Sequence, residues 1–332
     1  MLGLEARVTD ARPLPLAPLL ERRRQLGLEC PFETGEPEDR CRPDRFLPGA
    51  CSVLVAALPY ARPWPRVEDG PGRGVVSRYA WGEDYHRVLR QRLGDLARHM
   101  EDLFPGARWR IQVDAGPLPE RYLAWKAGLG WVGRNGCFYT ERHGSYVLLG
   151  ILVTDAPLFP GDRAEDERRS LFDRCGSCRR CLEACPTGAL READESSTPL
   201  PPGHSGPTYY FLDHRLCLAY LTQARDFPLE LRPRLGRRLW GCDTCQDVCP
   251  WNRGKARGDP PPPDLARPRL EETACLTRGE FRRLFGGTAA SWRGPAVLRR
   301  NARIILEHLY RHAPGRVPVP PRAAPSAAAE RG

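Results

Sequence analysis

The stretch Cys175-Gly-Ser-Cys178-Arg-Arg-Cys181-Leu-Glu-Ala-Cys185-Pro186 has the spacing C-x2-C-x2-C-x3-C-P. Three thiolates spaced by two residues can hold three corners of one [4Fe–4S] cubane. A fourth, set off by one further residue and followed by proline, points to a second cube. A second run, Cys242-Asp-Thr-Cys245-Gln-Asp-Val-Cys249-Pro250, repeats both ends of the first but lacks one cysteine. The two runs supply seven ligands, where two cubanes need eight. Cys217 lies nearest upstream of the incomplete run. Reciprocal ligation assigns Cys175, Cys178, Cys181 and Cys249 to one cluster, and Cys185, Cys217, Cys242 and Cys245 to the other. Structural zinc prefers two C-x2-C pairs separated by a longer loop, which this dense run fits poorly.

Such clusters move single electrons at low potential, so the preceding half of the chain must supply a substrate or another cofactor. It contains no P-loop, no H-E-x-x-H and no Gly-x-Ser-x-Gly. Asp114 closes a strand-like run just before Ala-Gly-Pro, a usual place for a general acid, although an Asx turn that stops the strand explains it equally well. Asp84-Tyr-His86 begins like the D-x-H-x-x-G signature of cobalamin proteins with a histidine lower ligand. Leu89 holds the glycine position, and His86 on a helix face reads as structural. Gly128 to Gly136 formally contains G-x-G-x-x-G, but a dinucleotide site must follow a strand and open a helix. Here a helix comes first, and the glycines are expected to let the backbone approach something flat or bulky.

The elements that position these groups follow from periodicity and punctuation. Residues 14–28 read as a short amphipathic helix and Cys51–Leu58 as a buried strand. A helix is expected from Glu83 to about Phe104, a half-buried strand over Trp109–Val113, and a helix from Pro119 through Ala127. Strands follow at Cys137–Thr140 and Tyr146–Val153. Glu192–Pro207 reads as a surface insertion, 254–264 as a Pro-rich linker, and the tail from Pro314 as disordered. Between linker and tail, helices are expected over Arg278–Phe285 and Pro295–His312, the last region carrying Arg293, Arg299, Arg300, Arg303 and Arg311 as a solvated face.

The 332 residues leave room for two or three domains. No stretch of eighteen apolar residues and no signal peptide is present, so a soluble cytoplasmic protein without membrane contact is expected. Thirteen cysteines in so long a chain argue for thiolate ligands in a reducing compartment rather than a disulfide scaffold. Net charge is +10, and Lys126 and Lys255 are the only lysines. An Arg-rich basic surface suits phosphate backbones, though a GC-rich genome produces the same composition.

Further motifs carry a resemblance. Ser77 through His86, Val113 through Arg121, Ala127 through Asn135, Gly144-Ser145-Tyr146, Cys217 through Thr222 and Cys249 through Asn252 together resemble epoxyqueuosine reductases, along most of the chain. The resemblance implies a cobalamin-dependent oxidoreductase that removes the epoxide oxygen of epoxyqueuosine at the wobble position of tRNA, the final step of queuosine synthesis. It implies an α/β cobalamin-binding catalytic domain over residues 1–157, mixed α+β overall, and a double [4Fe–4S] ferredoxin-like domain over 158–254. A Pro-rich linker, a short helical segment and a disordered tail are expected over 255–332. By position, Asp114 matches the family's proton donor, and Arg40, Ser77, Phe138 and Leu149 match positions that line the cobalamin. The family's cluster cysteines fall on the same eight residues.

Arg134 stands where Lys is usual, Ala219 where Ser is usual, and the helical-repeat C-terminal domain of longer members is missing. Breaking an epoxide C–O bond to leave an alkene needs two electrons and a proton at the departing oxygen, which requires Asp114 to have its pKa raised by burial. The implied partners are modified tRNA and an external low-potential electron donor, with the protein acting as a monomer. Two alternatives stand beside this reading: a corrinoid reductive dehalogenase, usually exported with a twin-arginine signal that is not expected here, and a non-catalytic ferredoxin-type electron carrier.

Overall fold

A computed structural model describes residues 3–67, 72–159, 173–192 and 210–311. The core of the N-terminal half is a four-stranded sheet of β1 (Glu5–Asp10), β2 (Ser52–Pro59), β3 (Trp109–Gln112) and β4 (Val147–Thr154), in the order β1-β2-β4-β3. Every pairing in it is antiparallel, so of the two fold descriptions α+β is the one realised. β2 and β4 read as continuous apolar runs because they are the central strands, covered on both faces.

Alternation along the strands separates two cores. Leu54, Ala56 and Leu152 share one cluster with Leu89 and Leu93 of the Tyr85–Glu101 helix. Val53, Val55, Ile151 and Val153 share the other with Leu20 and with Leu123 of the Glu120–Lys126 helix. Leu89 and Leu93 are wholly buried, each contributing about 1.5–3 kcal/mol. That helix lies close on the sheet at Gly150, where an added Cβ would sit 3.0 Å from Leu93 Cδ1.

β1 was not anticipated. Its Glu-Ala-Arg-Val-Thr-Asp sequence alternates charge with small apolar residues, as an edge strand does, and offers no apolar run. The C-terminal helices are where periodicity puts them, at Arg278–Phe285 and Pro295–Arg311. Phe285, Leu298 and Ile305 join the first core cluster rather than forming a separate one. The Pro-rich run 254–264, expected as a linker, is pinned instead. Arg257 N donates to Ala61 O at 3.0 Å, and Arg73 Nη1 donates to Asp264 Oδ1 at 3.1 Å. Residues 193–207 of the expected insertion and the tail from Pro314 lie outside the described residues. Arg300 does not belong to a solvated face, because it donates to the carbonyls of Ala224 and Arg225 at 2.6 and 2.7 Å. Among the described residues no helix is long and apolar enough to cross a membrane.

Candidate active site

A cavity of about 590 Å³ lies between the second face of the sheet and the cysteine-rich part of the chain. Phe138, Val147 and Leu149 give it an apolar lining, Arg40 and Asp114 add charge, and Cys137 and Gln246 mark the side toward the cysteines. Four of the five residues carried over as cofactor contacts therefore meet here. Ser77 is the exception. It is buried outside the lining, where its hydroxyl donates to the Asp243 carboxylate that also receives Arg78 N at 2.9 Å.

Asp114 is the one non-glycine residue with positive φ among the described residues, at 58°. Asp and Asn tolerate this region better than other side chains, and such strain persists only where neighbours enforce it. Three bonds do so. Tyr85 Oη donates to Asp114 Oδ2 at 2.8 Å, His86 Nε2 lies 3.3 Å from the same oxygen, and Asp114 N donates to Glu120 Oε1 at 2.8 Å. Gln112 clasps the turn from behind, accepting from Leu118 N at 3.0 Å and donating to Leu118 O at 2.8 Å. Gly116 is required there, since an added Cβ would fall 2.3 Å from the Gln112 amide.

The electrostatics correct one expectation. Asp114 is crowded by protein, which pushes its carboxyl up, but the bonds from His86 and Tyr85 outweigh this and hold it below its ordinary value. Its side chain remains 64% exposed, into the cavity. The raised carboxyl is its neighbour Glu120, which burial and the Asp114 charge push up to about 8. Burial lowers His86, but its bonds to Asp114 and Asp84 prevail and raise it. Asp84 also caps the helix, accepting His86 N at 3.0 Å, which aims Tyr85 and His86 at Asp114. Tyr85, His86 and Glu120 were not recognised in the sequence as site residues. The signal available was Asp84-Tyr-His86 at a helix start, read as structural.

The Arg180–Ala184 and Thr244–Asp247 helices pack on each other and bring the two cysteine runs together. None of the thirteen cysteines is in a disulfide. Burial, then the nearby Cys249 and Cys178, push the Cys175 thiol up. Burial, then Cys245 and Cys242, push Cys217 up to about 12. Cys245 is raised by its hydrogen bond with Cys137, by burial, and by Cys185 among others. Cys249 thus lies near Cys175 of the first run, and Cys185 near Cys245 of the second. Cys181, pushed up to about 12 by burial and by Cys245 and Cys175, joins the two sets. Among the described residues no three His, Cys, Asp or Glu are gathered to hold a single ion. The cysteines of both runs are instead neighbours of one another across the packed helices, and thiols are the donor type that cubane clusters take.

The glycine-rich turn packs against its own hairpin. Trp131–Val132 pairs with Phe138–Tyr139, and an added Cβ on Gly130 would lie 1.8 Å from Tyr139 O. The flat body approached by Gly133 is the Tyr139 ring, whose hydroxyl donates to Cys249 and receives Asn135 Nδ2 at 2.9 Å. A buried network ties this wall to the cluster loop. Ser145 Oγ donates to Gln246 Oε1 at 2.8 Å, and Asn252 Nδ2 donates to Ser145 Oγ at 2.8 Å. The cavity's apolar floor and open rim fit a flat macrocycle, with Cys137 bridging from its wall to Cys245.

Comparison with known proteins agrees with this geometry. The family model "Epoxyqueuosine reductase QueG, DUF1730" matches residues 40–115, and "4Fe-4S double cluster binding domain" matches 174–252. The epoxyqueuosine reductase of Bacillus cereus is 37% identical over 297 residues, covering 87% of this chain and 72% of its own. That of Synechocystis is 38% identical over 274 residues, covering 79% and 85%. A crystal structure of epoxyqueuosine reductase with an epoxyqueuosine-modified tRNA-Tyr stem loop superposes with a TM-score of 0.79 at 35% identity, covering 92% of this chain and 78% of that one. The Bacillus subtilis enzyme, captured with its catalytic aspartate loop swung out of the active site, gives 0.77 at 34%, with 92% and 77% covered. With sequence and fold in agreement along nearly its whole length, this chain belongs to the epoxyqueuosine reductase family.

Proposed function

We propose that the protein reduces the epoxide of epoxyqueuosine to the alkene of queuosine at the wobble position of tRNA. Loss of the oxygen as water consumes two electrons and two protons. The observation that carries the reading is the cavity itself, with Asp114 exposed into it on one side and Cys137, bonded to Cys245, on another. Cobalamin, when bound there, supplies a cobalt centre able to deliver the electrons that the clusters provide.

The chain's own groups then have definite tasks. Cys175, Cys178, Cys181 and Cys249 hold one [4Fe–4S] cluster, and Cys185, Cys217, Cys242 and Cys245 the other. Phe138 and Leu149 seat the macrocycle and keep water from its face. Arg40 donates to Pro117 O at 3.2 Å and Glu33 Oε2 at 3.0 Å, steadying the Asp114 turn from outside. Ser77 acts at one remove, fixing Asp243 beside Cys242. Asp114, ionised at rest, relays to the departing oxygen the proton that His86, its charged form favoured, holds at Nε2, and the second proton of the water formed comes from solvent at the open rim.

In this reading residues 1–157 carry substrate and cobalamin, 158–254 the clusters, and the helices within 255–311 a support. An external low-potential donor reduces the protein, which works as a cytoplasmic monomer. The test is anaerobic reconstitution with iron, sulfide and cobalamin, followed by digestion of epoxyqueuosine-containing tRNA and mass analysis of its nucleosides. Loss of one oxygen from the modified nucleoside is expected. No conversion by protein carrying both cofactors overturns the reading.

A further inference from the structure

The cavity lining extends at Phe32 into an aromatic group that the catalytic reading does not use. Phe32 meets Tyr220 with ring centroids 5.2 Å apart, and meets Trp292 edge-on at 5.4 Å. Trp292 belongs to the turn before the last helix, 260 residues from Phe32 in sequence, yet 52% of it is exposed. Its Nε1 donates to Gln223 Oε1 at 3.2 Å, and the Arg293 guanidinium lies 3.8 Å from its ring centroid. The ring is therefore held by three neighbours while about half of the residue stays in water.

Apolar packing alone does not account for this arrangement. A tryptophan serving only to cover Phe32 gains by burial, whereas this one leaves about half its area in water while three neighbours fix its orientation. A fixed, exposed indole backed by a guanidinium is a stacking surface for an unpaired nucleobase. Charge points the same way. Arg23, Arg121 and Arg134 line the cavity, Arg293 stands at the ring, and the whole chain carries +10.

We propose that Trp292, backed by Phe32 and Arg293, stacks on an anticodon-loop base next to the wobble nucleotide. The proposal rests on the tRNA reading above. A wobble base drawn into the cavity leaves its neighbour without a stacking partner, and that loss is offset if the neighbour finds an aromatic face at the rim. Trp292 then sets the register of the loop, while Asp114 deals with the one nucleotide inside.

Affinities of anticodon stem–loop RNAs test this, using an intact loop and two loops made abasic on either side of the wobble position. Trp292→Leu keeps the apolar cover over Phe32 but removes the π-face, and Trp292→Phe restores one. For the wild type, one abasic loop is expected to bind about tenfold or more weaker, the scale of one base–aromatic stack. Trp292→Leu should bind the intact loop that much more weakly and lose its sensitivity to the abasic site, with Trp292→Phe in between. Iron content and thermal midpoint confirm that both variants are folded. Equal abasic penalties in wild type and Trp292→Leu overturn the stacking role. So does unchanged RNA affinity alongside slowed reduction by a protein donor, which makes the ring a donor-docking site. If the wild type binds none of the three RNAs, the tRNA reading falls first and this proposal with it.

Discussion

The backbone N–H of Asp114 donates to Glu120 Oε1 at 2.8 Å, so the residue with the strained backbone is held by a carboxyl that burial keeps protonated. The two acids are driven apart. Donors from Tyr85 and His86 favour ionised Asp114, while burial and that ionised neighbour keep Glu120 protonated up to about pH 8. Divergent pKa values in one pair mark the division of labour typical of acid–base sites.

A pH-dependent stability follows. The folded-state pKa of Glu120, about 8, stands above the ordinary 4.5, so below pH 4.5 its contribution is fully present, and it is lost as pH rises through about 8. Glu120→Gln keeps an acceptor for Asp114 N and cannot ionise. The thermal midpoint of the variant relative to wild type is expected to rise between pH 4.5 and about 8 and then level off, with a total on the order of a few kcal/mol. A constant difference across that window would mean that Glu120 is ionised throughout.

Cluster ligation makes a second prediction. Wild-type protein reconstituted under anaerobic conditions should hold about eight iron per chain. Cys217→Ala should lose about half of it, since Cys217 lies beside Cys245 and Cys242. Cys275→Ala should lose none, because Cys275 is exposed at the C-terminal end of the Leu270–Ala274 helix. Equal iron in the two variants would remove Cys217 from the ligand set.

Binding of tRNA should weaken steeply with salt, because each Arg–phosphate contact releases about one counterion. The slope of log affinity against log salt counts those contacts. A flat response between low and physiological salt would trace the arginine content to codon bias. Arg300 is expected to contribute nothing to the slope, since its guanidinium is spent on the carbonyls of Leu221, Ala224 and Arg225.

Chemistry written as local spacing was legible in the sequence, and chemistry assembled across the fold was not. The cysteine runs, the central strands and Asp114 at the end of its strand could be read because each signal lies within a dozen residues. Tyr85 and His86 reach Asp114 from 29 and 28 positions away, and nothing in a helix start says which loop it will face. Glu120 looked like an ordinary first-turn acid, and its raised pKa exists only because the fold encloses it next to Asp114. The run 254–264 looked free on composition, yet its backbone partners lie nearly 200 residues upstream.

Asp114→Asn is the most discriminating change, because the structure separates its three possible consequences. Asn tolerates the left-handed backbone as well as Asp does, so φ of 58° costs nothing extra. The side-chain amide oxygen can still accept from Tyr85, and the backbone N–H still reaches Glu120, so the turn should stay in place. What disappears is the carboxylate that can take the proton held by His86 and pass it into the cavity. Cobalamin and iron content should match wild type, while conversion of epoxyqueuosine falls on the order of a hundredfold or more, the usual scale for losing a general acid. His86→Gln should act through the same proton at one remove. Asp114 would lose its strongest lowering partner, so its carboxyl rises and the pH optimum shifts rather than vanishing. Wild-type turnover in an Asp114→Asn protein carrying both cofactors would return Asp114 to the role of a turn residue and make His86, whose charged form is favoured, the acid to examine next.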